Sequence, residues 1–225
     1  MRRVADRRFN IVAAASVVLS CGLTACSRPT VAAKDTPAVR YDATGRLREL
    51  AFATTHNGRN NATGFMDGAQ VQKIEVDEDE DGTIDRWEFY GARGRLERVG
   101  LSRQHNGVID TTAFYGEGGE IERIEVSTRG DQVRNRIEFY QSNSLVRVEE
   151  DTNGDGRMDK WETYAAVHAA ASDSSPPIVS AAFDDSFRGT PNRRFIYRPD
   201  GTVLRAEVDP DGDGRFVEAT GVHGQ

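Results

Sequence analysis

Residues Asp77 to Leu101, DEDEDGTIDRWEFYGARGRLERVGL, decide the fold, because one stretch holds an acidic loop, a strand, a glycine turn and a second strand. Up to Asp85 the chain is Asp and Glu around Gly82, a composition that turns a backbone rather than extending it. From Arg86 to Tyr90, and again from Leu96 to Leu101, the residues alternate with a period of two, which predicts two short strands. A helix through the same residues would have to absorb Gly91 and Gly94, at a cost of about 2 kcal/mol.

The unit recurs along the chain. Equivalent loop positions begin at Ala53, Asp77, Ser102, Ser127, Asp151, Asp184 and Asp209, with spacings of 24, 25, 25, 24, 33 and 25 residues. A period of about 25 residues marks an array. After each of the first six loops comes a segment ending in an aromatic residue or Met, such as Trp87-Glu88-Phe89-Tyr90, Thr112-Ala113-Phe114-Tyr115 and Arg194-Phe195-Ile196-Tyr197. A glycine-containing turn and a second apolar-x-Arg-apolar-x-apolar strand follow, as in Ile121 to Val126 and Val203 to Val208.

Arg198-Pro199-Asp200-Gly201-Thr202 has the composition of a tight hairpin turn, with Pro fixing φ and Gly supplying a positive one. If Tyr197 pairs with Val203, the same register pairs Tyr90 with Leu96, Glu88 with Arg98, Trp87 with Val99 and Glu138 with Arg147. Trp87, Phe89, Val99 and Leu101 would then share a core face. The expected architecture is all-β: some thirteen short antiparallel strands in hairpin repeats, forming a twisted meander over residues 40–222 with its loops along one edge. The single large departure from the period is an enlarged loop at 165–177, AAVHAAASDSSPP, whose Ala, Ser and Pro content is that of a solvated surface loop.

Two of the loops, Asp77 to Glu88 and Asp151 to Glu162, resemble the calcium-binding loop of EF-hands, which supplies oxygens from positions 1, 3, 5, 7, 9 and 12 around a Gly at 6. The resemblance implies ligation by Asp77, Asp79, Asp81, the Thr83 carbonyl, Asp85 and Glu88, and by Asp151, Asn153, Asp155, the Arg157 carbonyl, Asp159 and Glu162. A third loop offers Asp209, Asp211 and Asp213 but has Val217 and Thr220 at positions 9 and 12. The expected cofactor is therefore Ca²⁺ at one to three sites. Strands rather than helices flank the loops, so Glu88 would stand on a strand and has Arg98 as a competing partner. The other loops keep the length and lose the ligands, which implies that the loop conformation does not need metal. His56, His105, His168 and His223 show no ligand spacing and read as exposed polar residues.

The N-terminus resembles a bacterial lipoprotein signal peptide. Arg2, Arg3, Arg7 and Arg8 precede an apolar run from Ile11 to Leu19, too short for a good membrane span, and Leu23-Thr24-Ala25-Cys26 has the form of a lipobox. This implies a signal peptide at 1–25, acylation of Cys26, a tether at 26–39 and an address at the cell envelope, with Ser27 favouring the outer membrane. Loss of four Arg and one Asp deepens the formal charge of −7 by three. So acidic a domain is a poor nucleic-acid binder. Arg- and Glu-rich faces argue against a transmembrane barrel. Much of residues 40–222 also loosely resembles the Tyr-Asp repeats of bacterial surface proteins, as in Tyr41-Asp42-Ala43-Thr44-Gly45-Arg46-Leu47. These resemblances together imply a lipid-anchored structural or binding module that meets an envelope protein or glycan. The alternative is a hydrolase on the secreted side with calcium as a structural ion; the repeat places no nucleophile beside a base.

Overall fold

The structure is a computed structural model and describes residues 37–165 and 176–219. Among the described residues fifteen antiparallel strands form one sheet in strict chain order. They are β1 (Ala38–Tyr41), β2 (Leu47–Phe52), β3 (Ala62–Asp67), β4 (Gln70–Val76), β5 (Arg86–Tyr90), β6 (Leu96–Leu101), β7 (Thr111–Tyr115) and β8 (Ile121–Val126). The rest are β9 (Arg136–Gln141), β10 (Ser144–Glu150), β11 (Lys160–Tyr164), β12 (Ile178–Phe183), β13 (Arg193–Tyr197), β14 (Val203–Val208) and β15 (Val217–Glu218). β1 and β15 each pair with one neighbour, so the sheet is an open meander of hairpins. Among the described residues no helix is long and apolar enough to cross a membrane. The expected signal peptide, Cys26 and most of the enlarged loop lie outside the described residues; the base of that loop is closed by Ala165 N–H donating to the Pro177 carbonyl.

The hairpin register corrects the expected faces. Tyr197 does pair with Val203 and Tyr90 with Leu96, but each hairpin then slips by one residue at a bulge between the terminal aromatic and the residue before it. Past the bulge Glu88 faces Val99 rather than Arg98, Trp87 faces Gly100, and Phe89 faces Arg98. Likewise Glu138 faces Val148, and Arg147 faces Phe139. A slip of one residue exchanges the two faces of a strand. The expected core of Trp87, Phe89, Val99 and Leu101 is therefore divided between opposite sides of the sheet.

One side carries the row Ile74, Glu88, Val99, Ala113, Ile124, Glu138, Val148, Glu162, Ala181 across nine adjacent strands. The buried apolar residues lie here: Val99, Ala113, Ile124, Val148 and Ala181 in this row, Ala62, Val76 and Val126 in the next. With a single layer the core is a strip of small side chains, each Val worth roughly 1.5 kcal/mol or more when buried. The opposite side carries a different ladder: Phe65, Lys73, Phe89, Arg98, Phe114, Arg123, Phe139 and Arg147 face one another in sequence across eight strands. In each hairpin the cation sits over the ring of the preceding strand, at 4.2 Å for Lys73 and Phe65, 4.1 Å for Arg98 and Phe89, 3.8 Å for Arg123 and Phe114, and 4.2 Å for Arg147 and Phe139. Such contacts contribute about 0.5–1 kcal/mol each at exposed sites. They explain why an Arg or Lys recurs in the second strand of the repeat.

Candidate metal centre

The loops share one backbone conformation whether or not they keep acidic residues. Position 6 has positive φ in every repeat: Gly58, Gly82, Gly107, Gln132, Gly156, Gly189 and Gly214. Only glycine adopts this region freely, which is why six of the seven are Gly. Position 5 makes a local turn, its side-chain oxygen accepting the N–H two residues on at Asp81, Asn106, Asp131, Asp155 and Asp213. Position 1, where it is Asp, accepts the N–H of position 6: Asp77 from Gly82, Asp151 from Gly156, Asp184 from Gly189 and Asp209 from Gly214. These bonds hold the curve with protein donors alone.

Position 9 is the staple of the loop, a role that the ligand pattern concealed. Asn61, Asp85, Asp110, Asn135, Asp159 and Asn192 each accept the N–H of position 2, at 2.8, 2.9, 2.9, 2.8, 3.1 and 2.9 Å. Asn serves as well as Asp, so this bond is structural. The second atom of the side chain then distinguishes one loop from the others. Asn61 Nδ2 donates to Thr54 and to the Asp77 carbonyl, and Asn135 Nδ2 donates to Thr128. Asp110 Oδ1 accepts from Arg103 and Thr111, and Asp159 Oδ1 accepts from Thr152 N and Oγ1. Asp85 Oδ1 accepts nothing, although the residue is only 3% exposed.

Asp77 Oδ1, in the same loop, is also buried without a hydrogen-bond partner. Ligand oxygens of Asp77, Asp79 and Asp81 lie within 4.8 Å of one another. Unsatisfied buried carboxylate oxygens are costly, and like charges this close repel unless a cation joins them. The Asp77 loop thus groups oxygens that could hold a metal ion beside buried oxygens that make no hydrogen bond.

The Asp151 loop has the same consensus and no such need. Asp151 is 2% exposed, but its two oxygens accept Gly154 N–H and Gly156 N–H. Asp159 binds Thr152 and Asn153 N–H groups, and Asn153 both accepts from Asp155 N–H and donates to the Asp155 carboxylate. Arg129, reaching over from the preceding loop, donates to the Asp151 carbonyl at 2.9 Å and brings a positive charge. In the third loop Asp209, Asp211 and Asp213 also group within 4.8 Å. Burial opposes ionisation of Asp209, but the N–H groups of Gly214 and Gly212 outweigh it and hold the carboxyl below its usual range.

Position 12 does not join the acidic groups. Glu88 accepts from the Tyr90 hydroxyl, with Arg86 3.4 Å away, and so faces neither a metal cluster nor Arg98. Glu162 repeats the arrangement with Tyr164 at 2.8 Å and Lys160 at 2.8 Å, and Glu138 with Tyr140 at 2.9 Å and Arg136 at 2.8 Å. Each is a cation-x-Glu-x-Tyr line along one strand on the buried side of the sheet. Burial raises the Glu162 carboxyl, but hydrogen bonds from Lys160 and Tyr164 overcome it and the net shift is downward. The Tyr164 hydroxyl is pushed up by burial and by its bond to Glu162. The extra aromatic that ends these strands is thus the third member of a sheet-face network.

His105 is exposed, as the spacing implied, but it has partners that the spacing did not show. Its Nδ1 lies 2.9 Å from Asp85 Oδ1 and 3.1 Å from Asp79 Oδ2. Only the 25-residue stacking of loop upon loop could have revealed this, since His105 belongs to the following repeat. Compared with protein-family models and with curated protein sequences, the chain matches none.

Proposed function

We propose that this chain is a cation-braced β-repeat module of the cell envelope, anchored by lipid at Cys26, which meets an envelope protein or glycan through its sheet. The observation that carries the reading is the Asp77 loop, where three carboxylates converge and two buried oxygens lack donors. Calcium suits a flexible cage of oxygens better than magnesium does. The ion acts there as a brace between β4 and β5, and the Asp209 group offers a second, more exposed place for one. The partner face is the cation and phenylalanine ladder, whose flat rings and guanidinium groups supply apolar contact and donors together.

The test is thermal unfolding of the full-length chain in 10 mM calcium and in chelator. With an affinity typical of extracellular calcium modules, about 10⁻⁴ to 10⁻³ M, the ion is expected to add about 2 kcal/mol and raise Tm by about 5 °C. Identical melting in the two conditions would refute the brace.

A further inference from the structure

We infer that His105, donated by the next repeat, completes the Asp77 loop as a mixed nitrogen and oxygen centre that takes a borderline divalent cation such as Zn²⁺ in preference to calcium. This rests on the reading that the loop holds a divalent ion, and it names the ion's chemistry. Three ligand atoms, from Asp79, Asp85 and His105, lie within 4.8 Å of one another. Asp79 belongs also to the group formed with Asp77 and Asp81, so the two groups adjoin.

The independent observation is Asp85 Oδ1. It is buried, points at His105 Nδ1 from 2.9 Å, and yet makes no hydrogen bond. In four other repeats the matching atom is satisfied by the loop itself or by an adjacent residue. An ordinary histidine and carboxylate pair would align a ring N–H on the oxygen. Here the oxygen and the ring nitrogen converge instead, as two ligands do about a common ion. Tetrahedral ligands at zinc bond lengths stand about 3.3 Å apart. The observed 2.9 and 3.1 Å need open by only a few tenths of an ångström.

Imidazole selects zinc and its neighbours over calcium, which prefers oxygen alone. His105 stands at φ 52°, a left-handed position shared by Glu80 and Phe187 and filled by glycine at Gly130, Gly154 and Gly212. The residue in the place of His105 after the Asp151 loop is Phe187, and the cation at that loop, Arg129, comes from the preceding repeat.

The experiment titrates metal-free full-length chain with Zn²⁺ and separately with Ca²⁺ by calorimetry, with His105→Asn and Asp85→Asn as variants. Asn tolerates positive φ, and Asn already fills position 9 in three repeats, so both variants keep the loop. The expected result is one Zn²⁺ bound more tightly than Ca²⁺, weakened about tenfold or more in either variant, with calcium affinity unchanged in His105→Asn. In the wild type the His105 ¹⁵Nδ1 resonance shifts on adding zinc. Zinc affinity independent of His105, or calcium binding without any zinc binding, overturns this inference and leaves the calcium brace standing. Absence of both ions from the loop overturns the brace as well.

Discussion

The Asp77 and Asp151 loops have the same consensus and opposite needs. In the Asp151 loop backbone N–H groups and the Thr152 hydroxyl satisfy the buried acidic side chains, while the Arg129 guanidinium donates to the Asp151 carbonyl. In the Asp77 loop the same positions leave two buried oxygens with no donor. A ligand pattern in a sequence records which oxygens are available, whereas the need for a metal depends on whether the protein has already used them. The difference lies partly inside the twelve residues, where Gly154 N–H and the Thr152 hydroxyl reach Asp151 and Asp159, and partly outside them: the preceding repeat sends Arg129 to the Asp151 carbonyl, and the following repeat sends His105 to Asp79 and Asp85.

The largest expected effect breaks the satisfied loop. Asp159→Ala removes the acceptor for Thr152 and Asn153 inside a buried position and should destabilise the chain by about 3 kcal/mol in urea unfolding, with or without metal. A smaller effect concerns the Asp151 repeat under acid. The Glu162 carboxyl is depressed in the folded state, so its contribution is fully present above about pH 4.5 and is lost as pH falls through the folded-state value. Glu162→Gln should flatten that part of the stability profile, leaving the contributions of Glu207, Asp184 and Asp209, which are depressed as well. The smallest effect has the most diagnostic sign. Asp85→Asn keeps the staple to Glu78 N–H and removes a buried charge whose Oδ1 lies 2.9 Å from His105 without a hydrogen bond, so it should be neutral or stabilising by about 1 kcal/mol in chelator and abolish most stabilisation by metal.

Hairpins, loop period and turns were legible in the sequence because each is local: Pro199 and Gly201 fix a turn wherever it occurs, and Tyr197 meets Val203 as counted. The faces were not legible beyond the turn. A bulge beside Tyr90 absorbs Glu97, and counting without it set Glu88 against Arg98 and joined Trp87 to Val99. The position 9 staple had a visible signal, because Asn61, Asn135 and Asn192 occupy it in loops with few other ligands. His105 had none, since its contact with Asp79 and Asp85 exists only once successive loops stack. The cation-x-Glu-x-Tyr lines were written in Arg86-Trp87-Glu88-Phe89-Tyr90 from the start, and the likeness of Glu88 to a twelfth loop ligand drew attention away from them.

The central claim is that demand for a cation resides in the Asp77 loop. Asp81→Ala and Asp155→Ala remove the same turn bond, to Thr83 N–H and to Arg157 N–H, and Asp155→Ala also removes the acceptor of Asn153 Nδ2, so each variant serves as its own metal-free reference. Melting each variant in calcium and in chelator then isolates the ion. The account predicts that the calcium-dependent rise of about 5 °C disappears in Asp81→Ala and persists in Asp155→Ala. A rise that survives in Asp81→Ala and vanishes in Asp155→Ala would contradict it.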